Sequence, residues 1–142
     1  MSYFFIINPA AGHRFRGIEN LIRSIFQGRH SHFEIVSTRA RGHALELSTR
    51  AVIEGYRNVV AVGGDGTIRE TAMPLVGKEQ VLGIIPCGSG NGLARNLHIP
   101  MKPAEVCRSL FDWPERRIDV ALANGKPFFC TAGFGLDAEV AR

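Results

Sequence analysis

Residues 58–70 read NVVAVGGDGTIRE, and this stretch decides the fold. An uninterrupted apolar run ends at a loop of two glycines, an aspartate, a third glycine and a threonine. A run without alternation of apolar and polar residues is typical of a parallel strand that is covered on both faces. A glycine loop between such a strand and a helix presents backbone N–H groups at the positive end of the helix dipole. The stretch therefore predicts a buried parallel strand whose carboxyl end suits phosphate.

Apolar runs and amphipathic segments alternate in the same way over residues 3–98. This alternation predicts right-handed βαβ units, and therefore an α/β fold with an open, mostly parallel sheet and helices on both faces. The third helix is expected to begin at a T-x-x-E capping box formed by Thr67 and Glu70. Strands are predicted at 3–8, 32–38, 58–62 and 81–86, and helices at 16–27, 43–54, 67–75, 92–97 and 104–111.

The C-terminal part of the chain has a different pattern. Residues 117–123 and 128–133 are predicted to form two strands joined at Asn124-Gly125, a dipeptide that favours a tight hairpin turn. Residues 134–142 begin with a glycine-containing turn and end in a predicted helix start.

The composition narrows the class of protein. With 142 residues, 45% of them hydrophobic and 21% charged, the chain fits one globular domain. Its net charge of +4 is modest and its basic residues are scattered, so nucleic acid is not an expected partner. Cys87, Cys107 and Cys130 lack the spacing of a disulfide framework or a metal pair, and reduced thiols favour the cytoplasm. No stretch reaches the roughly 18 apolar residues that a membrane-spanning helix needs.

Three of the four predicted parallel strands end in unusual loops, which read INPAAG at 7–12, GGDGT at 63–67 and PCGSGNG at 86–92. The remaining strand ends at Thr38. Because open parallel sheets bind ligands beyond the carboxyl ends of their strands, these loops are expected to lie on one edge. The chain has no G-x-x-x-x-G-K-[ST] motif and no G-x-G-x-x-G after its first strand. Nucleotide phosphates would therefore be held by backbone N–H groups, hydroxyls and a metal, without a P-loop lysine.

The side chains in these loops offer few chemical groups. Asp65 is the only carboxylate in GGDGT, and it can help to hold Mg²⁺ or accept the proton of an attacking hydroxyl. The alternative is a turn or capping aspartate. Ser89 and Asn91 offer side-chain donors and can cap the helix that follows. Glu70 is explained by the capping box, and Cys87 is expected to be a small packing residue.

These motifs resemble the catalytic domain of the diacylglycerol kinase and sphingosine kinase superfamily, and especially the bacterial two-domain lipid kinases. The resemblance rests on INPAAG, GGDGT and PCGSGNGLAR at 86–95. Residues 118–141 are similar to the segment that leads from the first domain of those kinases into the second. The resemblance implies a nucleotide-binding α/β domain at 1–125 and, at 126–142, a crossover toward a β-sandwich domain that this chain does not contain. Arg69 departs from the bacterial pattern, which commonly has asparagine there.

The resemblance implies ATP-dependent transfer of the γ-phosphoryl group to a lipid hydroxyl of diacylglycerol or sphingoid type, with Mg²⁺. It implies a catalytic role for Asp65 and lipid recognition by Asp137, and it leaves the metal ligands open. The lipid would be met at a membrane surface by peripheral contact, and a homodimer is compatible with the sequence. The residues that it assigns to ATP binding are Asn8, Thr38, Gly63, Gly64, Asp65, Gly66, Thr67, Glu70, Gly88, Ser89, Gly90 and Asn91.

Two alternatives remain open. An NAD kinase-like enzyme shares GGDGT, although the GSGNGLAR loop argues against it. A non-catalytic ATP-binding module is the other, because phosphoryl transfer requires both substrates to be positioned in line and the lipid-binding domain is missing. The isolated 142-residue chain is accordingly expected to be inactive on lipids.

Overall fold

A computed structural model of the chain describes residues 1–11, 17–29 and 31–130. Its centre is a four-stranded parallel sheet with the strand order β2-β1-β3-β4. The strands are β1 (Ser2–Ile7), β2 (His32–Ser37), β3 (Asn58–Gly63) and β4 (Val81–Pro86). The predicted parallel sheet is therefore confirmed, and the carboxyl ends of all four strands meet at one edge.

Five helices accompany the sheet in the described part of the chain, and a hairpin follows them. The helices are α1 (Ile18–Gln27), α2 (His43–Ile53), α3 (Asp65–Ala72), α4 (Gly92–Asn96) and α5 (Pro103–Asp112), and a 3-10 turn at Met73–Leu75 extends α3. The hairpin pairs β5 (Ala121–Ala123) with β6 (Lys126–Phe128) in antiparallel fashion. No helix among these is long and apolar enough to cross a membrane.

The side chains of β1 alternate between the two faces of the sheet, as a strand requires. Tyr3 and Phe5 face α1, where their rings lie 4.9 and 4.8 Å from the ring of Phe26. Phe4 and Ile6 face α2 on the opposite side. All five side chains are buried, and burying one of this size contributes about 1.5–3 kcal/mol. Together with α5 on the first face and α3 and α4 on the second, these layers confirm the predicted helices on both faces.

The predicted start of the third helix is wrong. Helix α3 begins at Asp65, with the backbone N–H of Ile68 donating to the Gly64 carbonyl at 3.0 Å, and no side chain caps it. Thr67 and Glu70 therefore form no capping box. The Thr67 hydroxyl accepts a hydrogen bond from Asn8 Nδ2 at 3.0 Å, and Glu70 Oε1 accepts one from the Gly42 N–H at 3.0 Å. Tertiary contacts thus use the two side chains that the local pattern assigned to the helix start.

The hairpin was predicted at the right turn but with the wrong strand bounds, because the second strand was predicted at 128–133 and lies at Lys126–Phe128. Asn124 and Gly125 have φ angles of 50° and 74°, as a two-residue hairpin turn with two positive φ angles requires. Pairing ends at Ala121 and Phe128, so residues 117–120 do not join the first strand. The predicted strand residues 131–133 and the helix start at 134–142 lie outside the described residues. The remaining boundaries agree with the predicted ones to within one or two residues, as is usual at element ends.

Candidate functional site

The loops that follow β1, β3 and β4 line one cleft at the carboxyl edge of the sheet. The cleft has a volume of about 780 Å³, which is within the range of about 300–1,000 Å³ that is common for small-molecule sites. The expected convergence of the three loops on one edge is confirmed. The residues that line the cleft are Asn8, Ala10, Ala11, Gly64, Asp65, Gly66, Thr67, Pro86, Cys87, Gly88, Ser89, Gly90, Asn91, Arg95 and Met101.

Some of the residues predicted to bind ATP do not line this cleft. Thr38 follows β2, where its N–H donates to the Ile7 carbonyl at 2.8 Å and extends the sheet. Gly63 ends β3, and its carbonyl accepts a hydrogen bond from the Cys87 N–H at 2.8 Å. Glu70 contacts the loop before α2. Asp137, the predicted lipid contact, lies outside the described residues.

The loops at residues 63–67 and 86–92, called the two glycine loops below, touch each other through their backbones. A Cβ atom added to Gly88 would lie 2.6 Å from the Cα of Gly64, and one added to Gly63 would lie 2.6 Å from the Cβ of Thr67. None of these three glycines has a positive φ angle. Glycine is therefore required here for close approach of the chain and not for an unusual backbone conformation. The contact brings the start of α3 and the loop after β4 into one wall of the cleft.

The start of α3 presents backbone donors to the cleft. Because the N–H of Ile68 makes the first bond within the helix, the preceding N–H groups, at Asp65, Gly66 and Thr67, have no carbonyl partner inside α3. They lie at the positive end of the helix dipole. This part of the cleft suits an anion.

The loop between β4 and α4 is braced by Asn91. The Gly88 N–H donates to Asn91 Oδ1 at 2.9 Å, and Asn91 Nδ2 donates to the Gly88 carbonyl at 2.7 Å. Asn91 is 5% exposed and has a φ angle of 53°, a conformation that asparagine tolerates better than most residues. Its side chain makes no capping hydrogen bond to α4, so the capping alternative does not hold for Asn91. Asn91 instead fixes the shape of the loop, while Ser89 is exposed at its tip.

Asn8 joins the first loop to α3. Its Nδ2 donates to the Thr67 hydroxyl at 3.0 Å, and its Oδ1 accepts a hydrogen bond from the Ala10 N–H at 3.0 Å. Its own N–H donates to the Val62 carbonyl in β3 at 2.9 Å. These bonds hold three neighbouring parts of the cleft in a fixed arrangement.

Within the described part of the chain, Asp65 supplies the only carboxylate that lines the cleft. The side chain is exposed, and Asp65 Oδ2 lies 2.9 Å from the position that a Cβ of Gly90 would occupy. Within the described residues this carboxylate makes no hydrogen bond or ion pair, and no group of three metal-ligating side chains occurs. Mg²⁺ is commonly held by one or two carboxylates together with substrate phosphates, so a single carboxylate beside an anion site fits that ion.

Sequence reasoning missed Arg95, which is the only cationic residue among the described residues that line the cleft. It lies in the last turn of α4, and its Nε donates to the Gly90 carbonyl at 2.9 Å. The available signal was its position at the end of PCGSGNGLAR, where a helix that starts at Gly92 returns it toward the loop.

Cys87 also lines the cleft but is 4% exposed. Burial, with a smaller contribution from Cys107, raises the pKa of the Cys87 thiol to about 12, and burial raises the pKa of Cys107 to about 11. Both groups are therefore protonated at neutral pH, which makes them poor nucleophiles and poor metal ligands. The predicted packing role of Cys87 agrees with this burial.

We expect iodoacetamide at pH 8 to modify Cys130 quickly and the other two cysteines slowly, because Cys130 is exposed and they are buried. Mass spectrometry of the native protein over time measures the three rates. Cys130→Ser should abolish the fast phase, and rapid modification of Cys87 would contradict the burial of its thiol in the loop after β4.

The two buried thiols also make stability depend on pH. Since folding raises the pKa values of Cys87 and Cys107 from 9.0, their contribution to stability is complete below pH 9.0 and is lost as the pH rises toward 11–12.

Comparison with known proteins gives a consistent set of matches. A family model described as the diacylglycerol kinase catalytic domain matches residues 2–123. A "Probable lipid kinase YegS-like" of Pseudomonas aeruginosa PAO1 is 43% identical over 98 residues, which cover 66% of this chain and 32% of the relative. A protein of the same name from Cronobacter sakazakii is 33% identical over 141 residues, which cover 93% of this chain and 46% of the relative.

The solved structures agree with these matches. The crystal structure of a diacylglycerol kinase from Bacillus anthracis Sterne has a TM-score of 0.81 and 27% sequence identity, and the match covers 89% of this chain and 47% of that one. The chain spans less than half the length of the curated relatives and of this structural neighbour.

Proposed function

The chain belongs to the diacylglycerol kinase catalytic domain family, and from this premise we propose that its cleft binds ATP as the nucleotide-binding half of a lipid kinase. The observation that carries the proposal is the backbone contact between Gly64 and Gly88, since it joins two loops rich in N–H donors. A polyphosphate needs many donors in a small space. Glycines that let two loops approach this closely serve that need better than side chains would.

The strand order suggests how ATP lies in the site. The phosphates would lie over the loops after β3 and β4, where the first turn of α3 offers its N–H groups. The nucleoside would extend over β1 toward β2, which brings Asn8 and Thr38 within reach. In this arrangement Gly63 and Glu70 support the site indirectly, through the contacts that hold α3 in position.

Asp65 is the proposed catalytic residue. The lipid hydroxyl would attack the γ-phosphorus in line with the bond to the departing ADP, and its proton would pass to the Asp65 carboxylate. Asp65 and the phosphate oxygens would hold Mg²⁺, which would supply positive charge beside the transferred group. The exposure of Asp65 and its lack of partners in the described residues leave it available for either task.

The proposed lipid, of diacylglycerol or sphingoid type, would be bound by parts of the protein outside residues 1–125. Both curated relatives are at least twice as long as the part that this chain matches. We propose that residues 126–142 lead toward a β-sandwich domain, that Asp137 helps to bind the lipid, and that the enzyme meets its substrate by peripheral membrane contact. The isolated 142-residue chain would then bind ATP without transferring phosphate to lipid.

An ATP titration followed by NMR tests the proposal. We expect ATP with Mg²⁺ to shift the amide signals of residues 63–67 and 88–91, since these line or support the proposed phosphate site. Signals from the β5–β6 hairpin, whose residues do not line the cleft, serve as the internal control. A titration that leaves both loops unchanged would refute ATP binding. Parallel titration with NAD and an assay of lipid phosphorylation distinguish an NAD kinase-like enzyme and a non-catalytic module.

A further inference from the structure

The proposed site has an imbalance of charge. Its backbone N–H groups carry only partial positive charge, and its carboxylate adds a negative charge beside an anionic ligand. Kinases that use a P-loop resolve this with a lysine, for which the chain has no motif. A cationic side chain in the walls of the cleft would offset this charge, and among the lining residues that the structure describes only Arg95 is cationic.

Arg95 is held at the cleft by two bonds to the glycine loop. Its backbone N–H donates to the Asn91 carbonyl at 3.0 Å, and its Nε donates to the Gly90 carbonyl at 2.9 Å. The second bond orients the guanidinium plane. It uses only Nε, so the N–H groups of the two terminal nitrogens stay available for a ligand. Arg95 is exposed, and no carboxylate in the described residues forms an ion pair with it.

Arg95 and Asp65 reach the same residue without pairing. The Gly90 carbonyl accepts the bond from Arg95 Nε, while the position of a Gly90 Cβ would lie 2.9 Å from Asp65 Oδ2. Their charged groups nevertheless form no ion pair. A cation and an anion that both lie beside Gly90, each with unused bonding capacity, suit a ligand that carries phosphates and a bound Mg²⁺.

We propose that Arg95 is the cationic side chain that binds the phosphates of the nucleotide, oriented for this by the Gly90 carbonyl. The inference rests on the proposed ATP site and assigns it a residue. Guanidinium groups bind phosphate oxygens through two parallel N–H bonds, and such charge-assisted bonds are stronger than neutral ones. Arg95 thereby favours ligands that carry phosphates: it contributes to the affinity for ATP and does not contribute to the affinity for adenosine.

Affinities of the intact protein for ATP and for adenosine test this assignment. Arg95→Gln is expected to weaken ATP binding about 10- to 100-fold, because it removes a charge-assisted hydrogen bond. It should leave adenosine binding unchanged. Arg95→Lys keeps the positive charge but loses the planar pair of N–H donors, so its affinity for ATP should lie between those of the wild type and Arg95→Gln. Arg108→Gln makes the same change of charge at an exposed site on α5 that does not line the cleft, and should bind ATP as the wild type does.

The two titrations separate the possible failures. If the wild type binds ATP and Arg95→Gln binds it equally well, the assignment of Arg95 is overturned while the ATP site stands. An equal loss of ATP and adenosine affinity would also overturn it, because Arg95 would then only shape the loop. If the wild type itself fails to bind ATP, the proposed function is refuted and the inference falls with it.

Discussion

Asp65→Asn is expected to lower the turnover of the intact enzyme by about 10²- to 10⁴-fold, which is the usual contribution of a general base. The amide has the size of the carboxylate, but it neither accepts a proton nor holds Mg²⁺ comparably. Because Asp65 is exposed and makes no hydrogen bond within the described residues, the stability of the fold should change little. Steady-state rates of lipid phosphorylation at saturating ATP, with denaturant unfolding of the same preparation, measure both effects.

The matched control is Asp112→Asn, which makes the same substitution at an exposed residue of α5 outside the cleft. It should leave turnover close to that of the wild type. The dependence of the residual rate on Mg²⁺ separates the two proposed tasks of Asp65. Partial rescue by excess Mg²⁺ would indicate a metal ligand, whereas a loss that does not depend on Mg²⁺ would indicate a base. Turnover of Asp65→Asn near that of the wild type would remove Asp65 from the mechanism.

The sheet could be predicted from the sequence because its signals are local. Buried parallel strands such as VVAVG at 59–63 read as continuous apolar runs, and the loops that follow contain glycine or proline. Parallel strands also place their carboxyl ends on one edge, so the convergence of the loops followed from topology alone. These arguments need no knowledge of which side chains meet.

The details of the site depend on contacts between distant parts of the chain. Thr67 and Glu70 matched a local capping pattern, but their hydrogen bonds run to Asn8 and Gly42, 59 and 28 residues away. A pattern of four residues cannot include such partners. The use of the glycines was likewise undecided in the sequence, since close approach and a positive φ angle both favour glycine. The contact between Gly88 and Gly64, together with the absence of a positive φ angle at either residue, distinguishes them.

Gly88→Ala is expected to separate the two glycine loops and so to weaken ATP binding by at least about tenfold. Its new methyl group would lie 2.6 Å from the Gly64 Cα and 3.0 Å from Asn91 Oδ1. Neither neighbour can move freely, because the first is backbone and the second accepts the bond from the Gly88 N–H. Relief requires a backbone shift, which should cost about 1–3 kcal/mol of stability. Denaturant unfolding and an ATP titration measure the two effects.

Two alanine substitutions separate this clash from a general effect of replacing glycine. A Cβ on Gly66, in the first turn of α3, would have no atom within 4 Å, so Gly66→Ala should keep or raise stability by about 0.5–1 kcal/mol, the difference between alanine and glycine in a helix. Gly28→Ala lies far from the cleft, with its nearest neighbour at 3.8 Å, and should not change ATP affinity. If Gly88→Ala unfolds as Gly66→Ala does and binds ATP as Gly28→Ala does, the loops tolerate a side chain at their contact. The wall of the cleft formed by the start of α3 and the loop after β4 would then not depend on their close approach, and the main support for the proposed ATP site would be lost.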